Sequence, residues 1–536
     1  MFCGLQLRTG GAWRVAGFSL TLRLTLYVGL ATLVAKPAFA QTEAETLAAL
    51  RKLIDEQNRR IEALGEKIRV LEERENDRNA ERLPTIVIDT NGAPVGLVAG
   101  GASSAASINV APSNRANALP SNSGAFVSAG ADGFFLKSAD TNFVLGFHGL
   151  VQADSRVFFD DNPLARGNNG FVLRRARPIF EGSVFRDFDY QVVPDFGGST
   201  VQLYDAYLNY KFAPEFQIRA GKFKGPVGLE NLQSDTAALF NERSLASDLV
   251  PMRNVGIQAH GDVGRGVLGW TAGLYAADAD SRLSGNTGYG DDFEGAGRLY
   301  LQPFKRFDTS LFQGLGFGAG ASFSKTASNS AALPSTTGGS LPGYTTTGQR
   351  QFFAYNPVYG TVVADGEHTR LSPQGWYYLG PFGIQGEYNW SEQVVENNLT
   401  MRRARLAHSG WQVSAQWVLT GEKASFGALV PAHPFSLHER HWGAWQLVAR
   451  YSELTLDGDA FKGFSDPTTS ARGANAWTAG LNWWLNRNVR LLTSVSYTTF
   501  DGGGKVSVAY PSSLSAPATV SHQNECVFFT RLQIAF

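Results

Sequence analysis

Residues 526–536 read "CVFFTRLQIAF". Successive side chains of an extended chain point to opposite faces. Cys526, Phe528, Thr530, Leu532, Ile534 and Phe536 therefore share one side, and Val527, Phe529, Arg531, Gln533 and Ala535 the other. One face is mostly oily and the other mixed, the alternation of a strand with lipid on its outside and a polar lumen on its inside. The composition agrees, since 59 glycines, 36 phenylalanines and 11 tryptophans stand beside only 3 methionines, and charged residues make up 18%. That bias suggests β-structure with aromatic girdles and argues against an ordinary soluble enzyme. After the first forty residues no apolar run is long enough for a spanning helix.

Sixteen such segments can be counted, at roughly 143–159, 171–185, 188–196, 201–211, 216–224, 253–263, 267–276, 293–303, 315–324, 368–379, 383–394, 410–420, 443–455, 476–485, 489–500 and 525–536. Tight links such as "KFAPE", "VGRG", "GPFG" and "LNRN" alternate with long ones at 225–252, 325–367 and 501–524. Short turns on one side and long loops on the other are the pattern of an outer-membrane barrel, and an even count returns both ends to the periplasmic side. The link at 421–442 is longer than this scheme expects. The closing aromatic, Phe536, resembles the C-terminal signature of bacterial outer-membrane barrels.

The segments before the barrel differ in kind. Arg8, Arg14 and Arg23, the apolar stretch 24–34 and the Ala38-Phe39-Ala40 site make residues 1–40 a signal peptide. Its loss removes Cys3, leaves Cys526 as the sole cysteine so that no intrachain disulfide can form, and takes the basic count from 47 to 43 against 47 acids. No net charge directs the chain to nucleic acid. Within 41–81, Leu47, Leu50, Ile54, Gln57, Ile61, Leu64, Ile68 and Leu71 fall at spacings of three and four, an a/d seam that one helix cannot bury alone. A coiled coil that joins chains follows, with Gln57 as its polar seam position. Residues 82–130 are rich in Gly, Ala, Ser and Asn and read as a linker, within which "TIVIDT" is extended. The predicted fold class is thus all-β: a 16-stranded antiparallel transmembrane β-barrel at 131–536, preceded by an N-terminal α-helical coiled coil.

Charge placement within the strands carries the functional signal. In "GFVLRRARPIFEG", residues 170–182, Arg175, Arg177 and Glu181 share a parity opposite to Ala176, Pro178 and Phe180. Two arginines on the lipid side would cost roughly 4–8 kcal/mol, so they face the lumen. Arg174 has the other parity, near a mouth where the cost falls to about 0–1 kcal/mol. Arg219, Arg298 and Arg450 occupy inward positions on their own segments, as do His148, Asp154, Arg156, Asp205 and Tyr207. Histidines are scattered apart from "HPFSLHERH" at 433–441, which lies in a long turn, and nothing in the sequence assembles a catalytic set, a cofactor site or a metal site.

The stretches "RRARPIFEGSVFRDFDYQVVPDF", "LYDAYLNYKF", "IRAGKFKGPVGLENL", "NERSLASDLVPMRNVGIQAHG", "GRLYLQPF", "WVLTGE", "GAWQLVARYS" and "GLNWWLN" resemble, in order and spacing, the phosphate-selective porins O and P. The resemblance implies a trimeric sixteen-stranded channel in the bacterial outer membrane, with its third extracellular loop folded into the lumen. Here that loop is 225–252. Lys222, Lys224 and Arg243 are expected at the constriction, with Arg175, Arg177 and Arg219 on the approach. Lys222 and Lys224 have the parity opposite to Arg219, so they join it only if the strand breaks or bulges near Gly221. The expected solutes are small anions such as phosphate or polyphosphate, and the expected assembly is a homotrimer in lipid with its coil in the periplasm. Two other readings are a general channel for sugars or aromatic acids, with Phe352, Phe353 and Tyr355 as a stacking surface, and a tether that binds the cell wall through the coil.

Overall fold

The computed structural model describes residues 125–536 apart from 160–167, 199, 278, 281–291, 308–310, 327–340, 503–504, 509–517 and 522–523, together with 59, 85–88 and 94–98. The expected signal peptide, coiled coil and most of the linker lie outside these residues, Arg59 excepted. In the first of two separate units, which ends at Leu119, Thr85–Ile88 pairs antiparallel with Pro94–Val98, so "TIVIDT" does contribute a strand.

The second unit, Pro120–Phe536, is the barrel. Its strands are β1 (Phe143–Phe158), β2 (Gly170–Val184), β3 (Phe188–Asp195), β4 (Gln202–Ala213), β5 (Phe216–Phe223), β6 (Asn254–Val263), β7 (Leu268–Ala276) and β8 (Phe293–Leu301). The second half runs β9 (Leu315–Thr326), β10 (Val362–Leu379), β11 (Phe382–Asn397), β12 (Arg402–Val418), β13 (Ala444–Thr455), β14 (Gly473–Trp484), β15 (Val489–Asp501) and β16 (Glu525–Ala535). Each pairs antiparallel with the next, and β16 closes the ring on β1 from Val527↔Phe158 to Ala535↔Leu150. Sixteen strands and closure agree with the sequence reading. A hairpin of Phe126–Gly130 and Gly133–Lys137 continues the wall beside the first residues of β1, so the last five residues of the expected linker are a strand.

The alternation is inverted relative to a soluble protein. Along β16, Phe529, Arg531 and Gln533 are buried while Leu532 and Ile534 are exposed. On β12, Gln412, Ser414 and Gln416 are buried while Trp411, Val413 and Trp417 are exposed. Polar side chains fill the inside and apolar ones coat the outside, which is what a lipid-facing barrel requires. Aromatic belts cross the outer wall, as in the chain of contacts Phe188, Tyr210, Phe212, Phe216 and Trp270 and in the stacked Trp445 and Trp483.

The largest apolar cluster lies inside the barrel at the long-loop end. Leu245 and Leu249 of the 225–252 segment pack there with Tyr344, Phe352, Phe353, Val395, Leu406 and Leu454. Phe352 and Phe353 are each 1% exposed, and Tyr355 packs against the same cluster. This corrects the stacking-surface reading, because rings sealed in a core have no face left for a solute. The long link between β12 and β13 also has a structural use: it folds back so that Ser425 O accepts from Gln416 Nε2 at 3.0 Å and Phe426 O accepts from Gln233 Nε2 at 2.9 Å.

Candidate pore constriction

Segment 225–252 enters the lumen as a short helical turn, Leu229–Leu232, and a 3-10 turn, Leu245–Leu249. Short elements of this kind cannot satisfy their own backbone, so the wall does it. Glu387 on β11 accepts from the amides of Leu229 (2.6 Å) and Glu230 (3.0 Å). Asn389 donates to Ala246 O at 3.0 Å, Asn482 to Leu239 O at 3.0 Å, and Gln533 to Thr236 O at 3.2 Å. The loop leaves between β5 and β6 and is held by β11, β14 and β16 across the barrel. It is an infolded bar.

Three acids fasten it, and reading the sequence by strand parity did not find them. Asp235 takes Arg177 Nη1 in a short contact, Arg243 Nη2 at 2.9 Å and Arg175 Nε at 3.3 Å. Glu242 takes Arg174 Nε at 2.6 Å and Arg156 Nη2 at 3.1 Å. Glu230 takes Arg450 Nη1 at 2.6 Å together with the hydroxyls of Ser244 (2.5 Å) and Ser247 (2.8 Å). Burial alone would raise the Asp235 carboxyl, but Arg175, Arg243, Arg177 and Lys224 together hold it well below the usual carboxylate range. The available clue was indirect: a loop bound for a basic lumen carries acids at 230, 235 and 242.

The arginines of β2 all point inward, by a means that simple alternation misses. Gln152 pairs with Arg175 and Ala153 with Leu173, so Arg174 is the extra residue of a β-bulge. The bulge turns Arg174 to Glu242 instead of leaving it on the outer face near the mouth. Near Gly221 there is no bulge, and the strand breaks only after Phe223. The register runs unbroken from Gln217↔His260 to Phe223↔Asn254. Gly221 serves a different need: its φ is 129°, and a Cβ there would lie 2.2 Å from Ala206 O.

Lys222 and Lys224 consequently part company. Lys222 stays in the ladder opposite Val255 and Ala206, is buried, and does not line the lumenal cavity. Lys224 lies just past the end of β5, lines that cavity, and donates to Gln233 O at 2.7 Å. Burial and the nearby Arg243 pull its ammonium well below the usual lysine value.

A cavity of about 460 Å³ lies against the loop, with Arg177, Arg219, Lys224, Arg253 and Arg298 in its lining. Arg177 and Arg253 are neutralised by Asp195 (2.6 Å) and Asp205 (3.0 Å), and both guanidinium groups pack on the Tyr204 ring. Arg219 and Arg298 form no ion pair among the described residues. Arg219 lies over Tyr207, 4.3 Å from guanidinium carbon to ring centroid. Arg298 lies 4.9 Å over Tyr300, and its Nε donates to Gln374 Oε1 at 3.0 Å. Of the eight expected cations, then, Arg219, Lys224, Arg298 and Arg177 meet at this cavity. Arg175, Arg243 and Arg450 are occupied in holding the loop, and Lys222 stands apart.

No curated protein matches the chain. Among solved structures, the anion-selective porin of Comamonas acidovorans is 10% identical, with a TM-score of 0.43, 73% of this chain covered and 99% of that one. The outer-membrane channel DcaP of Acinetobacter baumannii is 10% identical, with a TM-score of 0.44 and coverages of 75% and 99%. OmpT of Vibrio cholerae is 12% identical, with a TM-score of 0.42 and coverages of 74% and 98%. The model of the family described as phosphate-selective porin O and P matches residues 146–501, more than half of the sequence. The chain therefore belongs to that family, as an outer-membrane channel rather than an enzyme.

Proposed function

We propose that the channel conducts small anions, phosphate or polyphosphate among them. The observation that carries this reading is the pair Arg219 and Arg298, two guanidinium forks beside an open lumenal cavity that form no ion pair among the described residues, while the cavity's own carboxylates, Asp205 and Asp235, are taken by Arg253 and by Arg175, Arg177 and Arg243. A planar fork donates paired hydrogen bonds to an oxyanion and keeps its charge at any working pH. Tyr207 and Tyr300 brace the forks from behind without neutralising them. In a narrow, low-dielectric pore two such charges concentrate anions even though the whole chain is close to neutral. Their moderate attraction also lets the ion leave.

The deciding experiment is the reversal potential of the purified protein in a planar bilayer across a potassium chloride gradient. An anion-selective sign is expected, and a cation-selective sign would end this reading. The assembly we propose is a homotrimer, supported by the a/d seam at 41–81, with that coil in the periplasm.

A further inference from the structure

The cavity that holds Arg219 and Arg298 is not polar all round. Ile179 on β2 and Leu232 on the infolded loop are half-buried members of its lining, backed by the buried Leu150, Val193 and Phe223. Polar inward runs such as Gln412, Ser414 and Gln416 on β12 and Arg531 and Gln533 on β16 line the lumen elsewhere, whereas this cavity sets an apolar patch beside its cations. Part of the patch has a structural use, because Ile179 and Val193 pack with Tyr204 and Met252. Ile179 and Leu232 nonetheless leave apolar surface on the cavity, while the forks come from β5 and β8.

From this juxtaposition we infer that the cavity is a binding site for organic anions that carry one acidic head and a compact apolar body, such as an aromatic acid. Each part of such a solute has its counterpart. The head accepts hydrogen bonds from Arg219 and Arg298, and the body covers Ile179 and Leu232. Phosphate fits half of this lining less well, since every face of it needs donors and an apolar wall supplies none. A volume of about 460 Å³ is within the range of small-molecule sites, which are largely apolar with a few placed polar groups. This inference rests on the anion-channel reading and sharpens it.

The test compares benzenesulfonate with methanesulfonate as blockers of chloride current through the full-length protein in a planar bilayer. The two share one permanently charged head and differ only in apolar body. Benzenesulfonate should block at a roughly tenfold lower concentration, the ratio that about 1.4 kcal/mol provides. Arg219→Gln with Arg298→Gln should weaken block by both. Ile179→Asn and, separately, Leu232→Asn should bring the two blockers toward equal potency. Equal block of the wild-type channel by both sulfonates, or a tenfold gap that survives both asparagine variants, would overturn the inference even if the channel proves anion-selective. A cation-selective reversal potential would instead remove the reading beneath it.

Discussion

Arg450 on β13 and Glu230 on the infolded loop meet at 2.6 Å, 220 residues apart in sequence, with both side chains largely withdrawn from solvent. The pair ties the loop to the far wall of the barrel. Arg450 also donates to Glu242 O at 3.0 Å, so one side chain holds both ends of the bar's central stretch.

Removing one partner of such a pair strands the other as a buried charge, at a cost of about 3–5 kcal/mol. Arg450→Ala should therefore loosen the loop and give noisier, larger single-channel currents. Arg450→Met with Glu230→Gln should restore most of the quiet behaviour. Currents of unaltered size and noise in Arg450→Ala would show that the loop does not depend on this tie.

Arginines that look alike in sequence should behave differently when neutralised. Arg219→Gln or Arg298→Gln should lower the anion-to-cation permeability ratio severalfold, because each removes an unneutralised charge at the cavity. Arg175→Gln should act chiefly through the loop by weakening the hold on Asp235. Reversal potentials measured beside current noise separate the two effects; equal loss of selectivity in all three variants would contradict the assignment.

Val413 is exposed on the outer face of β12, between the inward Gln412 and Ser414. An arginine at mid-depth on the lipid side costs about 2–4 kcal/mol. Val413→Arg should lower unfolding stability in lipid vesicles by that amount, whereas Gln412→Lys should change selectivity more than stability. A Val413→Arg barrel of wild-type stability would mean that this face does not meet lipid.

Phe353 is sealed in the apolar cluster beneath the long loops, where truncation of a buried aromatic costs about 3–5 kcal/mol. Phe353→Ala should make segment 341–361 sensitive to protease while leaving the ratio of the two sulfonate blocks as in the wild type. A selective loss of benzenesulfonate block would return these rings to the solute path.

Deletion of residues 42–81 should lower the temperature at which trimers dissociate and leave the barrel folded. Native mass measurement checks this, and a full-length mature protein found only as monomers would exclude the proposed role of the coil.

Much of this architecture was legible in the sequence because a membrane barrel imposes a period of two on every strand and separates its faces by solvent. That constraint places most strands from Phe143 to Ala535 within a few residues, although β10 and β12 begin six and eight residues before the expected 368 and 410, and it turns Arg175 and Arg177 inward on energetic grounds alone. It fails where the backbone leaves strict alternation. Arg174 reverses its face at a bulge that is a property of the pairing with β1, and Lys224 escapes its parity because β5 stops at Phe223. The division between free and neutralised cations was out of reach for a different reason. A lumenal arginine has the same local pattern whether or not an acid arrives from elsewhere in the chain. For Arg175, Arg177 and Arg450 the acid arrives on a loop 58 to 220 residues away, while among the described residues none arrives for Arg219 or Arg298. Where alternation is strict, sequence alone determined which side chains face the interior, since solvent segregation acts residue by residue. Only the tertiary structure decided which of those charges a passing solute can meet, because ion pairing depends on how the loop crosses the lumen.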